Sequence, residues 1–172
     1  MTDPNAPLTI RPAVAADAVD IHTLIRELAD YEKLTHEVTG TPEDLARDLF
    51  GERPFADVLI AHVGGELAGF ALSFHNYSTF LCRPGIYLED LFVRPRFRRR
   101  GIGRALLATL AERAVALGCG RLEWAVLDWN APSIEFYRRL GARPLDDWTT
   151  FRLTGDALSR LAADGSAGRA TT

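Results

Sequence analysis

Apolar positions along this chain switch between two periods, and the switches mark out its elements. Leu8 to Arg11 reads as a short strand. Beyond Pro12 and Asp17, the residues Ala18, Ile21, Ile25 and Leu28 fall at helical spacing, which predicts a helix ending near Tyr31. Thr41 as cap, Pro42 at the first helical position and Asp44 three residues after the cap announce a second helix to about Phe50. Asp57 to Val63 and Glu66 to Phe74 flank Gly64-Gly65, the composition of a two-residue hairpin turn. A further strand runs from about Ile86 to Val93. Leu106, Leu107, Leu110, Ala114 and Leu117 line one face of a helix from Gly103 to Leu117, stopped by Gly118. Leu122 to Leu127 predicts a strand, Pro132 to Leu140 a short helix ended by Gly141, and the β-branched and aromatic run Trp148 to Leu153 a closing strand.

This order predicts an α/β (α+β) fold, a mixed and mostly antiparallel sheet flanked by helices, with one crossover through the Gly103 helix. A length of 172 residues matches one domain, expected over 8–155, with 1–7 and 163–172 as flexible tails poor in apolar residues. A net charge of −3 argues against a surface devoted to nucleic acid or anionic lipid. No run reaches the roughly 18 apolar residues of a membrane span, and Met1-Thr2-Asp3-Pro4-Asn5 lacks the order of a signal peptide, so a cytoplasmic location is expected. Cys82 and Cys119 are expected to be buried structural thiols, and the four histidines form no metal-binding pattern.

Positive charge is concentrated in one place. Arg94, Arg96, Arg98, Arg99, Arg100 and Arg104 place six of the 20 Lys+Arg between a strand and a helix. With Gly101 and Gly103 they form Arg98-x-x-Gly101-x-Gly103, whose glycines permit close approach of a ligand to backbone N–H groups at a helix N-terminus. Phosphate is the ligand such a loop suits. Six cations beside the positive end of a helix dipole also repel one another unless an anion joins them. A Walker loop is excluded by the missing Gly-Lys-Ser/Thr, and a dinucleotide site is a weaker reading, with two of its three glycines present and no preceding parallel βαβ pattern.

Ile86-Tyr87-Leu88-Glu89-Asp90-Leu91-Phe92-Val93, the Arg/Gly loop, and Trp129-Asn130-x-Pro132-Ser133-Ile134-x-Phe136-Tyr137-x-x-x-Gly141-Ala142 together resemble the GNAT acetyltransferase superfamily. Within it the chain is similar to the diamine (spermidine/spermine) and thialysine N-acetyltransferases, from Ile10 through Leu153. The resemblance implies a GNAT-type domain, a homodimer, and direct acetyl transfer from acetyl-CoA to a primary amine of a small molecule. It implies that the backbone of Leu91, Phe92 and Val93 holds the pantetheine arm. Arg98, Arg99, Arg100, Gly101, Ile102, Gly103 and Arg104 would hold the pyrophosphate, with Asn130 near the coenzyme arm. Tyr137 corresponds to the general acid and Glu89 to the base, while Tyr31, Glu32, Glu89 and Asp90 belong to the amine site.

Glu89 and Asp90 are neighbours on a strand, so they face opposite sides unless a bulge re-aims one of them. Ser78 stands where a carboxylate would hold a distal ammonium, and Arg83 adds a cation, which favours a small amino acid with a side-chain amine, or a short diamine, over a long polyamine. Two alternatives stand beside direct transfer: a coenzyme-binding module without turnover, and a ping-pong route through Cys82 or Cys119, for which no histidine is placed to activate a thiol.

Overall fold

The computed structural model describes residues 6–167, which fall into two compact units divided between Ala125 and Val126. In the first unit, β1 (Leu8–Pro12), β2 (Asp57–Val63), β3 (Glu66–Ser78), β4 (Arg83–Val93) and β5 (Leu122–Trp124) form one sheet in sequence order. Neighbouring strands pair antiparallel from β1 to β4, whereas β5 lies parallel to β4. A parallel partner needs a crossover, and α3 (Ile102–Ala116) supplies it. Gly64 and Gly65, at φ 59 and 83, take the left-handed conformations that the β2–β3 turn requires.

α1 (Ala18–Glu32) and α2 (Pro42–Phe50) are set by local chemistry. Asp17, just before α1, is buried and accepts two hydrogen bonds from the Arg11 guanidinium, at 2.7 and 2.8 Å, and one from the Val14 N–H. Those donors favour its ionised form and hold its carboxyl below the usual range, despite burial. At α2 the predicted capping box is present: the Thr41 hydroxyl accepts from the Asp44 N–H, and the Asp44 carboxylate accepts from the Thr41 N–H. Ile21 and Leu24 of α1 and Leu49 of α2 pack with Val58, Phe70 and Phe92 of the strands. Leu106, Leu107 and Leu110 are the buried side of α3, which touches β2 through β5.

The second unit contains α4 (Ala131–Arg139) and α5 (Gly155–Ala167). Here two expectations fail. Trp148 to Leu153 is not a strand: the Trp148 N–H donates to the Leu145 carbonyl at 3.2 Å, and β propensity without a neighbouring strand does not make a ladder; Trp148 is 74% and Phe151 91% exposed. Of the expected tail 163–172, Ala163 to Ala167 instead continue α5, carried by the helix formers that precede them, while residues 1–5 and 168–172 lie outside the described residues. Cys82 also departs from expectation. It is exposed in the β3–β4 turn with φ 49, its thiol donating to the Thr79 carbonyl, whereas Cys119 is partly buried.

Candidate functional site

β4 carries most of the site, and two irregularities define it. Opposite β3, Ser73 faces Leu88 and Leu72 faces Asp90, so Glu89 has no counterpart and the strand bulges there. Residues paired across strands share a face. Leu88 therefore lies on the face of Ser73, while Asp90, two residues on, lies on the opposite face with Leu72, Phe70 and Phe92. Without the bulge, Leu88 and Asp90 would point the same way. The second irregularity is the edge: β5 pairs only with Ile86 to Leu88, and no strand among the described residues pairs with that side of Glu89 to Val93. On that side the Val93 carbonyl accepts from the Arg98 Nε–H at 2.9 Å.

The bulge brings Asp90 to a cavity of about 420 Å³ whose apolar wall includes Ile25 and Leu28 of α1 and Leu45 of α2. Glu32, the last residue of α1, also lines it. Burial pushes the Asp90 carboxyl up to about 6, reinforced by the negative charges of Glu89 and then Glu32. Burial raises Glu32 as well. Glu89 is exposed, and its charge, with that of Glu123, adds to the burial that raises the neighbouring Tyr87 phenol. Three of the four residues expected at the amine site thus act on one another electrostatically. Two unneutralised carboxyls beside an apolar wall suit a small organic cation, because a bound ammonium relieves their mutual repulsion. Neither Glu89 nor Tyr31 lines this cavity.

The Arg/Gly loop follows β4. Among its six arginines, Arg94 and Arg96 each pair with a carboxylate. Arg94 forms a forked pair with Glu27 at 2.7 and 2.8 Å and donates to the Leu67 carbonyl, and Arg96 pairs with Glu66 at 3.0 Å. The expected repulsion among six charges is therefore smaller, and the loop that could meet an anion narrows to Arg98 through Arg104. Arg99 and Gly101 both take left-handed conformations, at φ 62 and 78. Gly101 caps α3 and no side chain caps its first turn, so the N–H groups of Ile102, Gly103 and Arg104 have no helical acceptor. A Cβ on Gly101 would meet no protein atom within 4 Å; open space there leaves room for a ligand to reach the backbone. These features fit a pyrophosphate.

In the second unit, the buried Asn130 is the N-cap of α4, its Oδ1 accepting from the Ser133 N–H at 3.4 Å. Tyr137 is half-buried in α4 with its ring 5.3 Å from that of Phe136. Sequence reasoning missed the cavity walls and the open strand edge. The bulge had a visible signal, because the apolar alternation of Ile86 and Leu88 resumes at Leu91 and Val93, one residue out of step.

Comparison with known proteins gives consistent matches. The acetyltransferase (GNAT) family model matches residues 22–142. Thialysine N-epsilon-acetyltransferase of Sus scrofa is 40% identical, covering 91% of this chain and 98% of that protein. L-ornithine N5-acetyltransferase of Arabidopsis thaliana is 36% identical, over 88% of this chain and 86% of that protein. Among solved structures, an integron cassette protein from the V. cholerae mobile metagenome superposes with a TM-score of 0.76 at 26% identity, over 90% of this chain and 97% of its own.

Proposed function

The chain belongs to the GNAT acetyltransferase family and is an N-acetyltransferase, and from that premise we propose that its acceptor is the side-chain amine of a small amino acid, such as thialysine or ornithine. The observation that carries this reading is the carboxyl pair of Asp90 and Glu32 at the apolar cavity, on the strand whose edge is open from Glu89 onward. The two relatives named for amino-acid substrates support the same class.

GNAT acetyltransferases take acetyl-CoA as cosubstrate, which supplies an acetyl group activated as a thioester. In our reading the N–H groups at the start of α3, with Arg98 to Arg104, bind its pyrophosphate, and the backbone of Leu91 to Val93 binds its pantetheine arm. Asp90 and Glu32 attract the amine as an ammonium. Attack requires a neutral nitrogen, so Glu89 takes one proton, directly or through water. The neutral nitrogen would then bond to the acetyl carbon as the carbon–sulfur bond breaks; Tyr137 would give its proton to the departing sulfur, and the second proton lost by the nitrogen would return to the Tyr137 oxygen through water. Asn130 fixes the start of α4, from which Tyr137 projects. No cluster of three or more potential metal ligands occurs among the described residues. We also infer a homodimer, supported by the exposed Trp148 and Phe151, which a partner surface would cover.

Arg83 has less influence than its charge suggests. It lies seven residues before Asp90 on one strand, about 20 Å away at about 3.3 Å per residue, beyond two Debye lengths at physiological salt. Ser78 is buried and accepts from the Leu81 N–H, which gives it a turn-stabilising role. Discrimination therefore rests on the cavity itself. Thiol release from acetyl-CoA with thialysine, ornithine, lysine, putrescine and spermidine tests it. Higher kcat/KM for the amino acids is expected; preference for spermidine would overturn the substrate class, and no turnover with any would favour a binding module.

The coenzyme half has its own test. Gly101→Val places a branched side chain at φ 78, where the backbone is strained for it, and fills the approach to the α3 amides. KM for acetyl-CoA is expected to rise at least about tenfold, in proportion to a lost charge-assisted contact. An unchanged KM in a folded variant would remove the loop from the coenzyme site.

A further inference from the structure

We propose that Tyr31 serves the coenzyme side of the reaction as a positioning residue, by holding the Arg98 guanidinium where a pyrophosphate meets it. This inference rests on the Arg98–Arg104 loop being the coenzyme site. Tyr31 ends up there although it is adjacent to Glu32, which lines the amine cavity.

Three contacts carry the inference. The Arg98 Nε–H donates to the Val93 carbonyl at 2.9 Å, which ties the side chain to the end of β4. Its guanidinium carbon lies 4.6 Å from the centroid of the Tyr31 ring and 5.8 Å from that of Phe92. Tyr31 in turn is packed against the core formed by α1, α2 and the strands, so the ring is a fixed platform. An arginine otherwise exposed to solvent has many rotamers, and freezing it on an arriving phosphate costs affinity. Resting it on an aromatic face removes part of that cost in advance while leaving guanidinium donors available.

Helix geometry separates the two neighbours. Consecutive residues of an α-helix project about 100° apart. The last turn of α1 accordingly points Glu32 into the cavity with Asp90 and Tyr31 toward Arg98. One helical turn contributes a binding group to the amine and a support to the coenzyme.

The test is binding of coenzyme A, without the acetyl group, to the full chain by titration calorimetry, with amine KM measured in parallel. Tyr31→Phe keeps the ring and is expected to bind coenzyme A as the parent does. Tyr31→Leu keeps apolar bulk without the ring and is expected to weaken coenzyme A about two- to fivefold, the range of an exposed cation–π contact, with amine KM unchanged. In an Arg98→Gln background, Tyr31→Leu is expected to add nothing further. Unchanged coenzyme A affinity in Tyr31→Leu, a rise in amine KM instead, or an effect that persists without Arg98 would each overturn the proposal. Thermal melting checks the fold, and Tyr31→Met carries the same expectations if the leucine variant is unfolded. Failure of the parent protein to bind coenzyme A would overturn the loop's reading as well, whereas the other outcomes leave that reading in place.

Discussion

Tyr137→Phe is expected to bind both substrates as the parent does and to lose about 10²- to 10⁴-fold in kcat, the usual contribution of a general acid. The reason is narrow. Protonating the thiolate as the carbon–sulfur bond breaks eases its departure and prevents its return to the carbonyl, and the substitution removes one hydroxyl while keeping the ring and its contact with Phe136. A packing role predicts a different result, because a phenylalanine at a half-buried helix position would preserve both the melting temperature and turnover. Single-turnover kinetics at saturating substrates read the difference directly. Equal loss in kcat and in kcat/KM marks an interaction made only in the transition state. Retained turnover would return Tyr137 to packing and leave the leaving group's proton to solvent.

The sequence was most legible where local physical chemistry decides the outcome. Thr41, Pro42 and Asp44 satisfy the first amides of α2 among themselves, so that helix start is written within four residues. Gly64-Gly65 likewise dictates the hairpin between β2 and β3. The crossover through α3 followed from order alone, since β5 can pair in parallel with β4 only after a long connection. Legibility ended where a partner distant in sequence decides. Arg94 looked like part of an anion-binding cluster until Glu27, 67 residues away, was found to hold it. Trp148 to Leu153 has the side chains of a strand, yet strand formation depends on a free edge that composition does not reveal. In the site, family resemblance named Glu89 and Asp90 together, but simple alternation would have separated them. The unpaired position at Glu89 breaks the alternation and turns Asp90 to the cavity, and it depends on the register with β3. Tyr31 and Glu32 show the reverse: adjacent in sequence and alike in assignment, they are sent to different surroundings by the helix.

Asp90→Asn is expected to make the protein more stable and a worse enzyme. The carboxyl is pushed up to about 6 by burial and by the charges of Glu89 and Glu32, so the folded state holds that proton more tightly than the unfolded chain does. Between about pH 4 and 6 the folded form binds the extra proton, and by linkage stability falls as pH rises through that window. Above it, the full cost of keeping a buried carboxylate charged remains, on the order of 2 kcal/mol for a group still partly reached by water. Asparagine is neutral at every pH. The variant should therefore melt higher at pH 7, by about 4 to 8 °C for a chain of this size, with the advantage vanishing below pH 4. An ammonium in the cavity reverses the balance, because it favours the ionised carboxylate. In the parent protein proton and amine compete for Asp90, so amine KM should rise as pH drops below about 6. Asp90→Asn should flatten that rise and lift KM at pH 7 at least about thirtyfold, the loss of one partner of a desolvated charge pair. Melting curves and amine KM, each from pH 4 to 8, read both effects. A variant that is less stable at pH 7, or whose KM is unchanged, would show that the Asp90 carboxylate is already compensated within the protein and does not receive the amine.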